Sequence, residues 1–277
     1  MNKLVLDNFS KVRPIILILP IFILFDFVFI LFILNCLKPT NYINIQKDYF
    51  YIINHFLGRF PNIIFNLTQL GDALVILSFF IILVIYVPKI WEAFISGSLI
   101  SLLFSSIFKK IFAMPRPAAI LDNSTFIIIG KTLNGNNSLP SGHSITIFTV
   151  LTIVFFGFMP QKLYKKILFL VLLLFIGVVI ISTRVGVGAH FPLDVFSGAI
   201  VGFLCGILGI LFCNNFKLWN WVSNIKYLPV FVFLFIIGII AILNNITKNN
   251  LIIFYFAILS LSISIYYTIS KYVQKKY

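Results

Sequence analysis

The sequence predicts an all-α protein, a polytopic bundle of membrane helices, on three observations. Hydrophobic residues make up 61% of the 277 positions, and charged residues make up only 10%. A soluble domain is about a quarter charged. Mean hydropathy is +1.09. The apolar residues also fall in long runs, and a run of about 20 such residues crosses a bilayer as a helix. We therefore interpret 1–277 as one integral membrane domain.

The apolar runs predict eight membrane spans. In order they are 14–36, 71–88, 91–107, 143–159, 167–183, 193–213, 228–244 and 250–269. The first run is too long to be the core of a signal peptide. The segment 38–70 is aromatic but too polar to span, so we expect it to include a helix lying along the outer leaflet. A weak excess of Lys and Arg places the N-terminus in the cytoplasm, which leaves 108–142 and 184–192 outside.

Charge and cysteine content exclude several classes of function. The net charge of +14 does not indicate nucleic acid, because the basic residues are spread over loops and span ends. The positive-inside bias and anionic lipid account for that distribution. Cys36, Cys205 and Cys213 lie in apolar runs without metal spacing and are interpreted as buried hydrophobes. We expect no nucleic-acid partner, no metal and no cofactor.

The stretch "TRVGVGAHFPLD", residues 183–194, places polar groups between two apolar runs. His190 and Asp194 are four residues apart at the start of a predicted span, so they can share one side of the helix. A carboxylate there can accept the second imidazole N–H, which leaves the other nitrogen free as a base or nucleophile. The Arg184 guanidinium suits phosphate. The alternative is a salt-bridged span end, with Arg184 extended toward the interface.

A second polar cluster, "PSGH", stands directly before the fourth predicted span. It consists of Pro140, Ser141, Gly142 and His143. The backbone N–H groups of such a cluster point out of a helix N-terminus and can bind an anion, with His143 at the edge. The alternative is a plain helix cap supplied by Ser141.

A third cluster ends the third span, where Lys109 and Arg116 flank six residues and Pro117 follows. Taken alone it is more typical of a basic flank beside the membrane. On the predicted topology, however, all three clusters open on the same side. Together they predict a phosphate pocket with two histidines. The pocket demands no metal, because Lys109, Arg116 and Arg184 can neutralise the phosphate.

These residues resemble the signature of the type 2 phosphatidic acid phosphatase family, the lipid phosphate phosphatases. The family pattern is K-x6-R-P, then P-S-G-H, then S-R-x5-H-x3-D. This sequence departs from it at Thr183, which stands where serine is usual and keeps the hydroxyl. The resemblance covers 109–194 and is consistent with a six-span phosphatase core over 60–213, followed by additional spans in 214–277. "LTQLGD", residues 67–72, is also similar to the family's second-span entrance.

The resemblance implies a metal-independent mechanism with a phosphohistidine intermediate. It implies that His190 is the nucleophile, that Asp194 orients it and that His143 protonates the leaving group. It also implies a set of groups that bind the phosphate and its developing charge. That set comprises Lys109, Arg116, Ser141, Gly142 and Arg184.

The expected function is hydrolysis of a lipid phosphate at the outer face of a bacterial inner membrane. Lipid A, undecaprenyl diphosphate, phosphatidylglycerol phosphate and phosphatidate all remain candidate substrates. A lipid-to-lipid phosphotransferase would carry the same motifs, and a non-catalytic lipid-binding or transport protein is a further alternative. A haloperoxidase using vanadate is disfavoured by the spans. His55 is expected to be structural, while the role of Asp26 and the oligomeric state stay open.

Overall fold

The chain is helical along its length. The structure is a computed structural model that describes residues 1–276, with side chains described to residue 274. The helices are α1 (Asn2–Phe9), α2 (Ile18–Ile33), α3 (Pro39–Asn44), α4 (Lys47–Gly58), α5 (Pro61–Thr68), α6 (Ala73–Phe80), α7 (Leu83–Tyr86), α8 (Pro88–Phe112), α9 (Pro117–Ile120), α10 (Gly142–Phe158), α11 (Leu163–Gly186), α12 (Pro192–Asn215), α13 (Leu228–Lys248) and α14 (Ile252–Lys276). The described residues contain no strand, which confirms the all-α prediction.

Six helical segments are long and apolar enough to cross a membrane, as a multi-pass protein requires. They are Pro14–Ile33, Pro88–Ile120, Leu163–Gly186, Pro192–Asn215, Ile225–Lys248 and Ile252–Gln274. Each corresponds to one of the predicted spans. The predicted span 143–159 is also a helix, α10, but it has only 17 residues.

The predicted span 71–88 needs correction. A helix pair, Pro61–Gly71 and Ala73–Phe80, is bent by 78° at that point, so the apolar segment begins earlier and is broken. Asp72 causes the break. Its backbone is extended, and its carboxylate accepts the N–H groups of Leu74 and Val75, which starts a new helix at Ala73. The bend places the turn 69–71 inside the bundle.

Helices α8, α10 and α12 form the centre of the bundle, and glycines on α12 set its spacing. A Cβ atom added at Gly198 would lie 2.6 Å from the Ser141 carbonyl oxygen, and one at Gly206 would lie 2.6 Å from Thr152 Cβ. Small residues of this kind allow membrane helices to approach closely. As a result the first turns of α10 and α12 lie side by side, and the Ser141 N–H donates to the Asp194 carbonyl oxygen at 2.9 Å.

The segment 38–70 is more than an interfacial helix, because α4 docks on the bundle through a buried asparagine. Asn54 is fully buried, and its Nδ2 donates to the carbonyl oxygens of Ile127, Val185 and Gly186 at 2.9–3.1 Å. Other side chains of α4, such as Ile52, are apolar and exposed, as a helix lying along a membrane surface requires. The helix is therefore held against the end of α11.

The two C-terminal helices cover the broken pair α5–α6. The Ile253 N–H donates to Asn66 Oδ1 at 3.1 Å, and Ser260 Oγ donates to the Ser78 carbonyl oxygen at 2.8 Å. These contacts indicate that α14, against which α13 packs, supports the bend, a role that the sequence left open.

Candidate active site

The three predicted clusters meet at one end of the central helices. Arg116 Nη1 lies 3.2 Å from His190 Nε2 and donates to the Ala189 carbonyl oxygen at 3.1 Å. Lys109 reaches the second cluster, because a Cβ atom placed on Gly142 would lie 3.5 Å from Lys109 Nζ. The structure thus brings the K-x6-R-P segment against both histidine-bearing segments.

The loop before α10 holds Arg116 in place. Arg116 Nε donates to Asn137 Oδ1 at 2.7 Å, and the Arg116 backbone N–H donates to the Gly135 carbonyl oxygen at 2.9 Å. The guanidinium is buried with 8% of its residue surface exposed. Its orientation toward His190 is therefore determined by the fold of residues 134–138.

The contact between Arg116 and His190 assigns the tautomer of the imidazole. A guanidinium only donates hydrogen bonds, so His190 Nε2 must be the acceptor and the ring proton must sit on Nδ1. Nδ1 lies 3.3 Å from Ser138 Oγ and 3.4 Å from Asp194 Oδ2. The N–H group therefore faces a hydroxyl and a carboxylate, and the lone pair of Nε2 faces the Arg116 guanidinium.

Asp194 is fully buried and surrounded by donors. Tyr42 OH donates to Oδ1 at 2.6 Å, while Ser138 Oγ and the Phe191 N–H donate to Oδ2 at 2.5 and 2.9 Å. A buried carboxylate that accepts several hydrogen bonds is both compensated for its lost hydration and held in one orientation.

The environment keeps His190 neutral. Burial is the largest cause that holds the pKa of His190 well below its usual range, and the charges of Arg116, Arg184 and Lys109 act in the same direction. An unprotonated Nε2 at neutral pH is what a nucleophile or base requires.

Arg184 retains a free donor in the site. Its Nη1 donates to Thr68 Oγ1 at 2.9 Å, whereas its buried Nε has no hydrogen-bond partner within residues 1–276. Buried donors without a partner are rare in proteins, and a bound anion would satisfy this one. The neighbouring Thr183 hydroxyl donates to the Ile180 carbonyl oxygen of its own helix.

The N-terminus of α10 is open. Ser141 Oγ accepts the Ser144 N–H at 3.5 Å, but the N–H groups of Gly142 and His143 have no partner in the described chain. The half-buried His143 ring packs on the 69–71 turn, since a Cβ atom on Gly71 would lie 2.6 Å from His143 Cβ. Free N–H groups at a helix start bind anions.

The remaining singled-out residues lie elsewhere. His55 Nε2 is 3.1 Å from the Thr125 carbonyl oxygen and its ring stacks with Tyr51, so it joins α4 to the following loop. Asp26 is half-buried in α2 and has no hydrogen-bond partner in the described part of the chain. The three cysteines are free and buried. Among residues 1–276, no group of three His, Cys, Asp or Glu could hold a metal.

Comparison with known proteins identifies the domain that carries this site. Residues 90–218 match the PAP2 superfamily. The chain carries a PAP2 superfamily domain. The solved structure of LpxE from Aquifex aeolicus is also similar, with a TM-score of 0.50 and 27% identity over 60% of this chain and 95% of that chain. No curated protein matches. These similarities support a type 2 phosphatidic acid phosphatase family member and a lipid phosphatase.

The PAP2 domain contains the three motifs but not the whole site. Ser138 and Asn137 lie inside it, in a loop whose only sequence signal is its position just before Pro140. Tyr42 and Thr68 lie outside it, in segments that the motifs do not reach. The "LTQLGD" similarity includes Thr68, whereas nothing in the sequence marked Tyr42.

Proposed function

We propose that this protein hydrolyses a phosphomonoester or diphosphate of a lipid headgroup through a phosphohistidine at His190. The observation that carries the proposal is the buried His190, whose Nε2 lies 3.2 Å from Arg116 Nη1 while Ser138 and Asp194 face its Nδ1. The charges of Arg184 and Lys109 also act on this ring. A nucleophile oriented by a third group is the arrangement that covalent phosphoryl transfer requires.

The phosphate would lie between the free donors of the three clusters. These are Lys109 Nζ, the Nε of Arg184 and the N–H groups of Gly142 and His143. Arg116 Nη1 now donates to His190 Nε2. A phosphate oxygen that takes over this donor would release the Nε2 lone pair for attack. Binding and activation of the nucleophile are then coupled.

In the first step, Nε2 forms a bond to phosphorus and the bond from phosphorus to the leaving oxygen breaks. His143 gives that oxygen its proton, and the leaving group is a lipid alcohol or, from a diphosphate, a lipid monophosphate. Asp194 stabilises the positive charge on the phosphorylated ring. In the second step, water attacks phosphorus, gives a proton to His143 and releases inorganic phosphate from Nε2.

The proposed location is the outer face of a bacterial inner membrane. The excess of Lys and Arg on the opposite side supports this orientation. Substrates of that face include lipid A, undecaprenyl diphosphate, phosphatidylglycerol phosphate and phosphatidate. Three cations supply the charge stabilisation that a metal provides in other phosphatases, so we propose that catalysis needs no metal.

Phosphate release by the purified protein in detergent tests this proposal. The four lipids named above would be offered separately, with and without a chelator. His190→Ala should abolish release, whereas His55→Ala should retain it, because His55 bonds to the Thr125 carbonyl oxygen and stacks on Tyr51, away from the site. Acid-labile, base-stable phosphate should accumulate on the wild-type chain and be missing from His190→Ala.

Two results would contradict the proposal. One is release that persists in His190→Ala. The other is the absence of both release and phosphoenzyme with all four lipids. A phosphoenzyme that releases no inorganic phosphate, but transfers its phosphate to an added lipid alcohol, would instead identify a phosphotransferase.

A further inference from the structure

The segment before the PAP2 domain contributes to the catalytic dyad. Tyr42 belongs to α3, is 0% exposed and lies 152 residues from Asp194 in the chain. Its hydroxyl donates to Asp194 Oδ1 at 2.6 Å. A phenol that is completely buried usually finds one hydrogen-bond partner. Here that partner is the carboxylate beside the proposed nucleophile.

The two oxygens of Asp194 are satisfied by different parts of the molecule. Oδ2 takes Ser138 Oγ and the Phe191 N–H and lies 3.4 Å from His190 Nδ1. Within the described residues Oδ1 has only Tyr42. Without that hydroxyl, one oxygen of a buried carboxylate would have no donor, and such a group turns toward other donors or takes up a proton. Either change would remove the carboxylate that faces His190 Nδ1–H and leave Ser138 Oγ as the acceptor beside it.

A second side chain fixes the position of Tyr42. Gln46 Nε2 donates to the Tyr42 carbonyl oxygen at 2.9 Å, and Gln46 Oε1 accepts the Leu193 N–H at 2.9 Å. This N–H lies in the first turn of α12 and has no partner within its own helix. The α3–α4 segment therefore holds both the start of α12 and the carboxylate that this turn carries.

Tyr42 remains a donor over the whole working range of pH. Burial first, and then the charge and hydrogen bond of Asp194, raise the pKa of Tyr42 well above its usual range. The phenol thus stays protonated when the carboxylate is ionised.

We propose that Tyr42 is a positioning residue for phosphoryl transfer, which orients Asp194 and through it the Nδ1–H tautomer of His190. This rests on the proposed function for its catalytic consequence, but the orientation of His190 is independent of turnover. The charged and polar groups around His190 are Arg116, Arg184, Lys109, His143, Ser138 and Asp194. Tyr42 acts on the last of them.

Nitrogen NMR of the histidine rings tests the orientation directly. The chain has only three histidines, so the ring signals of His190 can be assigned by their loss in His190→Ala. In Tyr42→Phe the His190 signals should move toward a mixture of tautomers and titrate differently with pH. The matched control is Tyr51→Phe, which removes a hydroxyl contact to Thr125 at 2.9 Å away from the dyad and should leave those signals unchanged.

Turnover supplies the second readout. Since hydrogen bonds to charged groups are worth about 1.5–3 kcal/mol, kcat of Tyr42→Phe should fall roughly 10- to 100-fold. KM should stay within about twofold, because the phenol does not touch the phosphate. A chain with 3-fluorotyrosine at position 42 keeps the donor and should behave as wild type. This variant covers the case in which phenylalanine impairs folding.

The outcomes separate the two proposals. Unchanged His190 signals in a folded Tyr42→Phe, or a fluorotyrosine chain as impaired as Tyr42→Phe, would overturn the positioning role whatever the activity. If the His190 signals change in Tyr42→Phe but the wild-type chain hydrolyses none of the lipids, the positioning role is retained and the proposed function is overturned.

Discussion

The N-termini of α10 and α12 lie side by side in the site, but they differ in whether their first backbone N–H groups have hydrogen-bond partners. At α12 the first donors are taken: the Phe191 N–H by the Asp194 carboxylate and the Leu193 N–H by Gln46. Pro192 has no N–H to satisfy. The turn that carries the proposed nucleophile's partner is thus closed by protein groups.

At α10 the corresponding donors are open. The N–H groups of Gly142 and His143 have no partner within residues 1–276, and His143 is half-buried, whereas His190 is buried. This difference shows how one site can both orient a side chain and bind a ligand. A nucleophile must be held in one tautomer, while a binding turn must keep its donors for the ligand.

Disrupting the first turn of α12, the closed turn, should cause the largest loss of activity. Asp194→Asn keeps the shape of the side chain but replaces one of two buried acceptor oxygens with an NH2 donor. The Nδ1–H tautomer of His190 is then no longer favoured, and kcat should fall about 10³-fold or more. Phosphate release measures this. Asp122→Asn, in an exposed loop, should stay near wild type. Activity of Asp194→Asn within tenfold of wild type would show that the closed turn is not needed for chemistry.

Removing a free N–H group from the first turn of α10, the open turn, should cause the next largest loss of activity. Gly142→Pro removes one free N–H at the first position of α10, where proline is tolerated, and Ser141 already has the extended backbone that precedes proline. Loss of such a donor should lower kcat/KM about 100-fold. Circular dichroism should remain unchanged. A folded variant with wild-type kcat/KM would mean that this N–H does not bind phosphate.

Displacing the second histidine should have a smaller effect. A Cβ atom on Gly71 would collide with His143, so Gly71→Ala should move the ring and lower kcat about tenfold. In the control Gly238→Ala the new Cβ would make only ordinary contact, 3.5 Å from Leu261. Equal kcat for the two variants would argue against His143 as the proton donor.

The smallest expected effect is a shift in the pH dependence of kcat/KM. Burial and nearby cations lower the pKa of His190, so Nε2 stays unprotonated as the pH falls through about 6.5, the ordinary value. Arg116→Gln removes one of these charges, which raises the pKa of His190 and moves the acid limb of kcat/KM to higher pH. Arg116→Lys keeps the charge and should leave the limb in place. A limb that moves equally in both variants would exclude the charge as its cause.

Local pattern was enough to predict most of the fold. Six predicted spans match helices long enough to cross a membrane, because an apolar run of that length must satisfy its backbone internally. The prediction of an unbroken span at 71–88 was wrong, and the reason is also local. Asp72 caps a new helix there, and the apolar helix Pro61–Thr68 before it belongs to the same broken segment.

The sequence by itself determined the class of the molecule and the residue types of the site. Hydropathy predicts spans, and the spacing of four between His190 and Asp194 places them on one helical turn. Tertiary structure alone decided which groups complete the His190–Asp194 pair and the proposed phosphate site. Tyr42 and Thr68 reach Asp194 and Arg184 across 152 and 116 residues. Contacts of that range depend on how helices pack, and a buried charge accepts whichever donors the packing brings to it.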